Sequence, residues 1–187
     1  MIILIRGTNG AGKTYAVRQV MNIALRRQRA PFDKEHGSTI NRIPGVKKPV
    51  LVVGAYPEGR CMGGSDKIKH HRDIYALIQQ GTDLGYHVII ENVQIAARPF
   101  YTFQSHGLDV RLVLIDPPLH TCLANVRRRQ EERGRVVAIS RKAHIAKHHK
   151  AWSMFRDATN HKKVTETYWV RGGELAARKI LSILRSA

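Results

Sequence analysis

Gly7-Thr8-Asn9-Gly10-Ala11-Gly12-Lys13-Thr14 follows the apolar run Met1-Ile2-Ile3-Leu4-Ile5 and precedes a stretch with Val17, Val20, Met21 and Ala24 at helical spacing. The octapeptide reads Gly-x4-Gly-Lys-Thr, and a strand before it and a helix after it are the context in which that spacing grips phosphate. Glycine lets the backbone turn with its N–H groups directed inward as a nest for anionic oxygens, and the following helix adds its positive end. Gly7, Asn9, Gly10, Ala11 and Gly12 therefore read as contacts to the phosphates of a nucleotide such as ATP. Lys13 reads as the cation bridging the β and γ phosphates, and Thr14 as a hydroxyl ligand for Mg²⁺.

Outward from this loop, short apolar runs alternate with amphipathic stretches, the pattern of βαβ units. Strands are expected over residues 1–6, 50–54, 87–91, 110–115 and 164–170. Helices are expected from the loop to about residue 29, along a face marked by Ile74, Leu77, Ile78, Gly81 and Leu84, and over 119–133, 140–158 and 174–184. Residues 30–49 hold Pro31, Pro44, Pro49, Gly37 and Gly45 and read as a long loop. The expected fold is α/β of the P-loop NTPase type, a single domain over 1–187. By analogy with nucleotide kinases it has a doubly wound, five-stranded parallel sheet in the order 2-3-1-4-5. A helical lid is expected over about 119–140 and a basic helical segment over about 140–163.

The charge is the unusual quantity. Lys and Arg number 32 against 14 acids, a net charge of +18 in 187 residues. Such an excess repels itself in a compact fold, which points to a polyanionic partner, DNA first among them. Cys61 and Cys122 form no Cys-x-x-Cys pair and read as free thiols in a reducing compartment. The apolar start is too short for a signal peptide and no later run reaches membrane-spanning length, so the expectation is a soluble, cytoplasmic protein.

A phosphate loop alone does not separate kinase from motor or GTPase. An Asn-Lys-x-Asp guanine reader is missing from the sequence. A second metal-site acid belongs at the end of a neighbouring strand. Glu91 is preferred there over Asp116, whose Asp-Pro-Pro context reads as an N-cap and turn. A kinase also needs a carboxylate to take the proton of the acceptor hydroxyl. Asp66, in Gly63-Gly64-Ser65-Asp66 after the second strand, is the candidate, with Glu58 in reserve; the competing reading is that Ser65 or Asp66 caps the next helix. Tyr56 and Lys67 are candidates for positioning the substrate. In 127–135, Arg129 and Arg133 stand four apart on one helical face, suited to carrying guanidinium groups over a transferring phosphoryl group.

The phosphate loop at the start, Gly63-Gly64-Ser65-Asp66 after strand two, Glu91 after strand three and the arginine-rich lid after strand four together resemble the small P-loop kinases. That group includes nucleotide, polynucleotide and phage-encoded DNA kinases, and the likeness covers roughly residues 1–135 and 164–187. It implies that Lys13 and Thr14 serve ATP and Mg²⁺, Asp66 the acceptor, and Arg129 with Arg133 the transition state. The Asp-Arg-Tyr/His element of thymidylate kinases is missing, which argues against a monophosphate acceptor.

Residues 140–163 carry seven Lys or Arg, four His and the single acid Asp157. Ile145, His148, Trp152 and Phe155 fall on one face, so a helix here can pack by that stripe and turn its bases outward. His144, His148 and His149 have spacing that could ligate zinc, but no cysteine or acid nearby completes a set. Lys67, Lys69, His70, His71 and Arg72 form a second basic cluster directly after Asp66. Among small basic kinases the chain is most similar to phage-type 5-hydroxymethyluracil DNA kinases. That resemblance implies ATP, Mg²⁺ and a DNA substrate whose target base leaves the stack. The alternatives are a nucleoside or deoxynucleotide kinase, a 5′-hydroxyl polynucleotide kinase and a DNA-stimulated ATPase.

Overall fold

A computed structural model describes the chain except residues 25–28, 58–63, 92–97 and 135–137. Its elements in order are β1 (Ile2–Arg6), α1 (Lys13–Ile23), β2 (Arg29–Asp33), β3 (Ser38–Asn41), β4 (Val50–Val52), a 3₁₀ turn (Ser65–Lys67) and α2 (His71–Asp83). There follow β5 (His87–Glu91), α3 (Arg98–Ser105), β6 (Val110–Ile115), α4 (Leu119–Glu131), α5 (Arg141–Asn160), β7 (Glu166–Val170) and α6 (Gly173–Ser186).

Among the described residues the sheet has seven strands in the order β2-β3-β4-β5-β1-β6-β7. The five parallel strands β4-β5-β1-β6-β7 follow one another as the second, third, first, fourth and fifth in the chain. The expected count of five and the wholly parallel sheet are corrected by β2 and β3, which pair antiparallel with each other, β3 also pairing antiparallel with β4. They fall within the segment expected to be a loop. Pro31 lies in β2, an edge strand where a missing N–H is tolerated. The buried Asn41 closes β3, accepting from Arg29 Nε at 3.1 Å and donating to Thr39 O at 3.1 Å.

β1 is apolar from Ile2 to Ile5 because both its faces are covered, and it ends on the buried Arg6. Ile3 and Ile5 join Val17, Val20 and Ile180 under α1 and α6, whereas Ile2 and Leu4 join Ile74, Ile78, Phe100 and Ala158 under α2, α3 and α5. The helix α3 was not expected. Arg98-Pro99 with two phenylalanines and a tyrosine has weak helical propensity, but Pro99 suits a first turn and Phe100 and Phe103 are buried. α1 stops at Ile23, short of the expected residue 29; Ala24 has extended backbone and β2 begins at Arg29. The parallel strands all end at one edge of the sheet. The loops that leave that edge carry the phosphate loop, the Ser65–Lys67 turn, Glu91, Asp116 and Gly172-Gly173. No helix of the described residues is long and apolar enough to cross a membrane.

Candidate active site

The phosphate loop leaves β1 and is held from outside by α4. Asn125 Nδ2 donates to Gly10 O at 2.9 Å. Gly10 has φ 82°, and a Cβ there would stand 2.2 Å from the carbonyl oxygen of Cys122, so the loop and α4 approach as closely as only glycine permits. Lys13 is buried, and its Nζ donates to Gly7 O and Thr8 O at 3.1 Å each. Burial lowers its pKa, opposed by Glu91 and Asp66. The ammonium thus rests on loop carbonyls that phosphate oxygens can replace.

Across the cleft, Thr14 Oγ1 donates to Glu91 Oε1 at 2.6 Å. Glu91 ends β5 fully enclosed, and burial pushes its pKa up to about 7 against the pull of Lys13 and the Thr14 hydrogen bond. A strap after β4 builds this enclosure. Gly64 N donates to Ala55 O at 2.7 Å, Ser65 Oγ donates to Glu91 O at 2.7 Å, and a Cβ on Gly64 would lie 2.5 Å from Glu91 Oε1. Glu91 Oε2 is buried and, among the described residues, meets no donor at hydrogen-bonding geometry, although the Tyr56 hydroxyl lies beside it. An unmatched carboxylate oxygen beside a threonine hydroxyl suits a hard divalent cation, so Thr14 and Glu91 fit Mg²⁺.

Asp66 follows Ser65 in the 3₁₀ turn and is exposed. It shares one cavity of about 730 Å³ with Glu91, Lys13, Thr14 and the loop residues Asn9, Gly10, Ala11 and Gly12. The opposite wall is α4 and the turn beyond it, which contribute Asn125, Arg128, Arg129 and Arg133. Arg129 Nε donates back to Asn125 O at 3.2 Å. Gly172, Gly173 and Glu174 complete the rim where α6 begins. This volume suits a nucleotide-sized ligand. It presents the phosphate loop as floor, two carboxylates on one side and guanidinium groups on the other.

The sequence-derived candidates Lys13, Thr14, Glu91, Asp66, Arg129 and Arg133 are thus brought together. Gly7 lies just below the cavity: its carbonyl takes the Lys13 bond, and a Cβ would meet Ile115 O at 2.5 Å. Tyr56 is not among the lining residues. It packs against the apolar cluster under α1, with its hydroxyl buried beside Glu91, and burial raises its pKa. Lys67 ends the 3₁₀ turn, while Glu58 and Cys61, along with the Lys67 side chain, lie outside the described residues. Neither Ser65 nor Asp66 caps α2, whose N-cap is His70 without a side-chain bond.

Asp116 departs from the N-cap expectation. α4 is capped at Pro118 with no side-chain bond, and Asp116 instead meets His148 Nε2 at 2.7 Å and accepts from Trp152 Nε1 at 2.9 Å. His148 is thereby committed to a carboxylate, and no group of three or more His, Cys, Asp or Glu is placed to hold a metal among the described residues. Sequence reasoning missed Asn125, Ser65 and Arg18. Arg18 lines the cavity one turn beyond Thr14 and donates from Nη2 to Pro57 O at 2.6 Å. The spacings 14 to 18 and 125 to 129 were the available signals, since residues four apart share a helical face.

No protein-family model matches the sequence. The chain is similar to a 5-hmdU DNA kinase of Pseudomonas phage PaMx11, with 27% identity over 132 residues covering 69% of each chain. Among solved structures, a deoxyadenosine kinase from M. mycoides with bound dCTP aligns over the whole of both chains at TM-score 0.45 and 13% identity. A structural likeness of that degree carries no argument about function.

Proposed function

We propose that this chain is an ATP-dependent kinase that phosphorylates the hydroxymethyl group of 5-hydroxymethyluracil in DNA. The coarse assignment is phosphotransferase, the activity named for its phage relative. The observation that carries the reading is the single cavity in which the phosphate loop, Asp66 and the α4 arginines converge.

In this reading the loop N–H groups and Lys13 hold the β and γ phosphates, and Arg129 with Arg133 stabilise the charge that gathers on the transferring group. Asp66 takes the proton of the acceptor hydroxyl as its oxygen forms the new O–P bond. The bond from the γ phosphorus to the bridging oxygen breaks, and ADP leaves. Mg²⁺, when bound by Thr14 and Glu91, neutralises phosphate charge. The net charge of +18 supports a polymeric acceptor over a free nucleoside, because a small substrate leaves that excess without a counterpart.

The test is mass analysis of nucleosides after incubation with ATP and four acceptors: duplex DNA containing hydroxymethyluracil, the same duplex with blocked ends, unmodified duplex and free nucleosides. Phosphorylated hydroxymethyldeoxyuridine from both modified duplexes is the expected result. Labelling abolished by blocked ends indicates a strand-end kinase, equal transfer to free nucleoside a small-molecule kinase, and ATP hydrolysis without a modified product a DNA-stimulated ATPase.

A further inference from the structure

The helix α5 carries positive charge that nothing in the cavity uses. Its inner face, with His144, His148, Trp152, Phe155 and Ala158, is turned toward the sheet. The opposite face presents Lys142, Ala146, His149, Lys150, Ser153 and Arg156, all exposed. Lys142, Lys150 and Arg156 have no carboxylate within 4.0 Å among the described residues. The single acid of the helix, Asp157, is engaged by Lys163 at 2.9 Å and Tyr101 at 3.1 Å. The outer stripe spans about 20 Å at the helical rise of 1.5 Å per residue.

This helix is also fixed in register with the phosphate loop. Thr8 Oγ1 donates to His144 O at 3.4 Å, and Asp116, just beyond β6, holds His148 and Trp152. Its first turns therefore stand at the same sheet edge as the cavity. A second exposed basic group, Lys69, His70, His71 and Arg72, follows the Asp66 turn and opens α2 on that edge. α2 packs on β5 and α5 on β6 and β7. Two to three strand spacings, about 10–15 Å, thus separate α2 from the first turns of α5 across the sheet.

We propose that the outer face of α5 is the docking surface for the phosphate backbone of the DNA that flanks the target nucleotide, with the 69–72 group as the opposite bank. The inference rests on DNA being the acceptor-bearing polymer. The occupant follows from charge complementarity. The face carries no large apolar side chain of the kind a membrane-surface helix inserts, and lysine and arginine without acidic partners suit a polyanion. Backbone held on a helix tied to the phosphate loop is held at a fixed offset from Asp66.

The experiment compares K142S/K150S/R156S with R42S/K47S/K48S. The second triple removes the same charge from exposed positions near the start of β4, at the opposite edge of the sheet. Binding of a fluorescein-labelled duplex of about 20 bp is read by anisotropy across a salt series, and transfer to hydroxymethyluracil DNA is read in parallel. The α5 triple is expected to weaken binding about tenfold or more and to flatten the log–log salt slope by about 3, raising KM for DNA with kcat unchanged. The conservative K142R/K150R/R156K is expected to keep binding, and an unchanged thermal melt of the serine triple excludes misfolding as the cause. Equal weakening by both triples, or unaltered binding by the α5 triple, overturns the docking surface even where transfer proceeds. Duplex binding lost only in the α5 triple, with no transfer by the parent protein, leaves the surface standing and removes the kinase reading.

Discussion

Trp152 Nε1 donates to Asp116 Oδ2 at 2.9 Å, fastening the middle of α5 to the residue just beyond β6. The same carboxylate meets His148 Nε2 at 2.7 Å. Asp116→Ala leaves both ring nitrogens without their shared partner, at an expected cost of about 2–4 kcal/mol. Asp116→Asn keeps one acceptor and should melt between the parent and the alanine variant. Thermal unfolding reads this directly. Trp152 emission, followed in a Trp169→Phe background, should shift as the indole loses its bond. An alanine variant that melts with the parent would show that the contact does not hold α5.

Asp66 and Glu91 line one cavity but have different surroundings, and their variants should fail differently. Asp66 is exposed and can be neutralised without disturbing the phosphate loop. Asp66→Asn is expected to retain ATP binding and to lose transfer by about 10²–10⁴-fold, the contribution of a positioned base. Retained transfer would move the base to another carboxylate. Glu91→Gln instead removes an anionic partner of Thr14, and should raise the Mg²⁺ concentration needed for half-maximal rate. Titrating ATP and Mg²⁺ separately tells the two apart.

The phosphate loop and the parallel strands β1, β4, β5 and β6 were legible because their signals are local: fixed glycine spacing, and largely apolar runs buried on both faces. Asp66, Glu91 and the α4 arginines could be placed by topology, since all follow strands that end at one edge. The β2–β3 hairpin was not legible, because Pro31 and the surrounding turn residues mask a short edge pair. Asp116 was misread because Asp-Pro-Pro carries a strong local cap signal, while its partners lie 32 and 36 residues further along the chain. The spacing to Arg129 could place Asn125 on the cavity face, but its bond to Gly10 spans 115 residues and no local signal names that partner.

That contact leads to a prediction at Gly10. A methyl group there stands 2.2 Å from Cys122 O, and the φ of 82° is strained for any residue with a Cβ. Both the loop and α4 would have to shift. Gly10→Ala is expected to cost about 2–4 kcal/mol and to weaken ATP binding more than the Asp66 variant does. Chemical denaturation and nucleotide titration measure the two effects. Parent-like values in both would mean that α4 yields to the loop without resistance.

The last prediction concerns acid. His87 begins β5 buried, with both ring nitrogens lacking partners among the described residues, and burial with the nearby amino terminus pushes its pKa down to about 4. Unfolded, it titrates near 6.5, so between those values the unfolded chain binds the extra proton and stability falls as pH drops. Glu91 has the opposite sign: its pKa is raised from 4.5 to about 7, so the folded chain holds the extra proton and stability falls as pH rises through that window. The two slopes oppose each other where the windows overlap. Removing either residue exposes the other. His87→Gln, compared with the parent by denaturant unfolding at about pH 7.5 and about pH 5, should move in the variant's favour by about 2 kcal/mol on acidification. Glu91→Gln should gain on the parent in the reverse direction, as pH rises toward about 8. A His87→Gln difference that stays constant with pH would show that the imidazole accepts its proton as readily folded as unfolded.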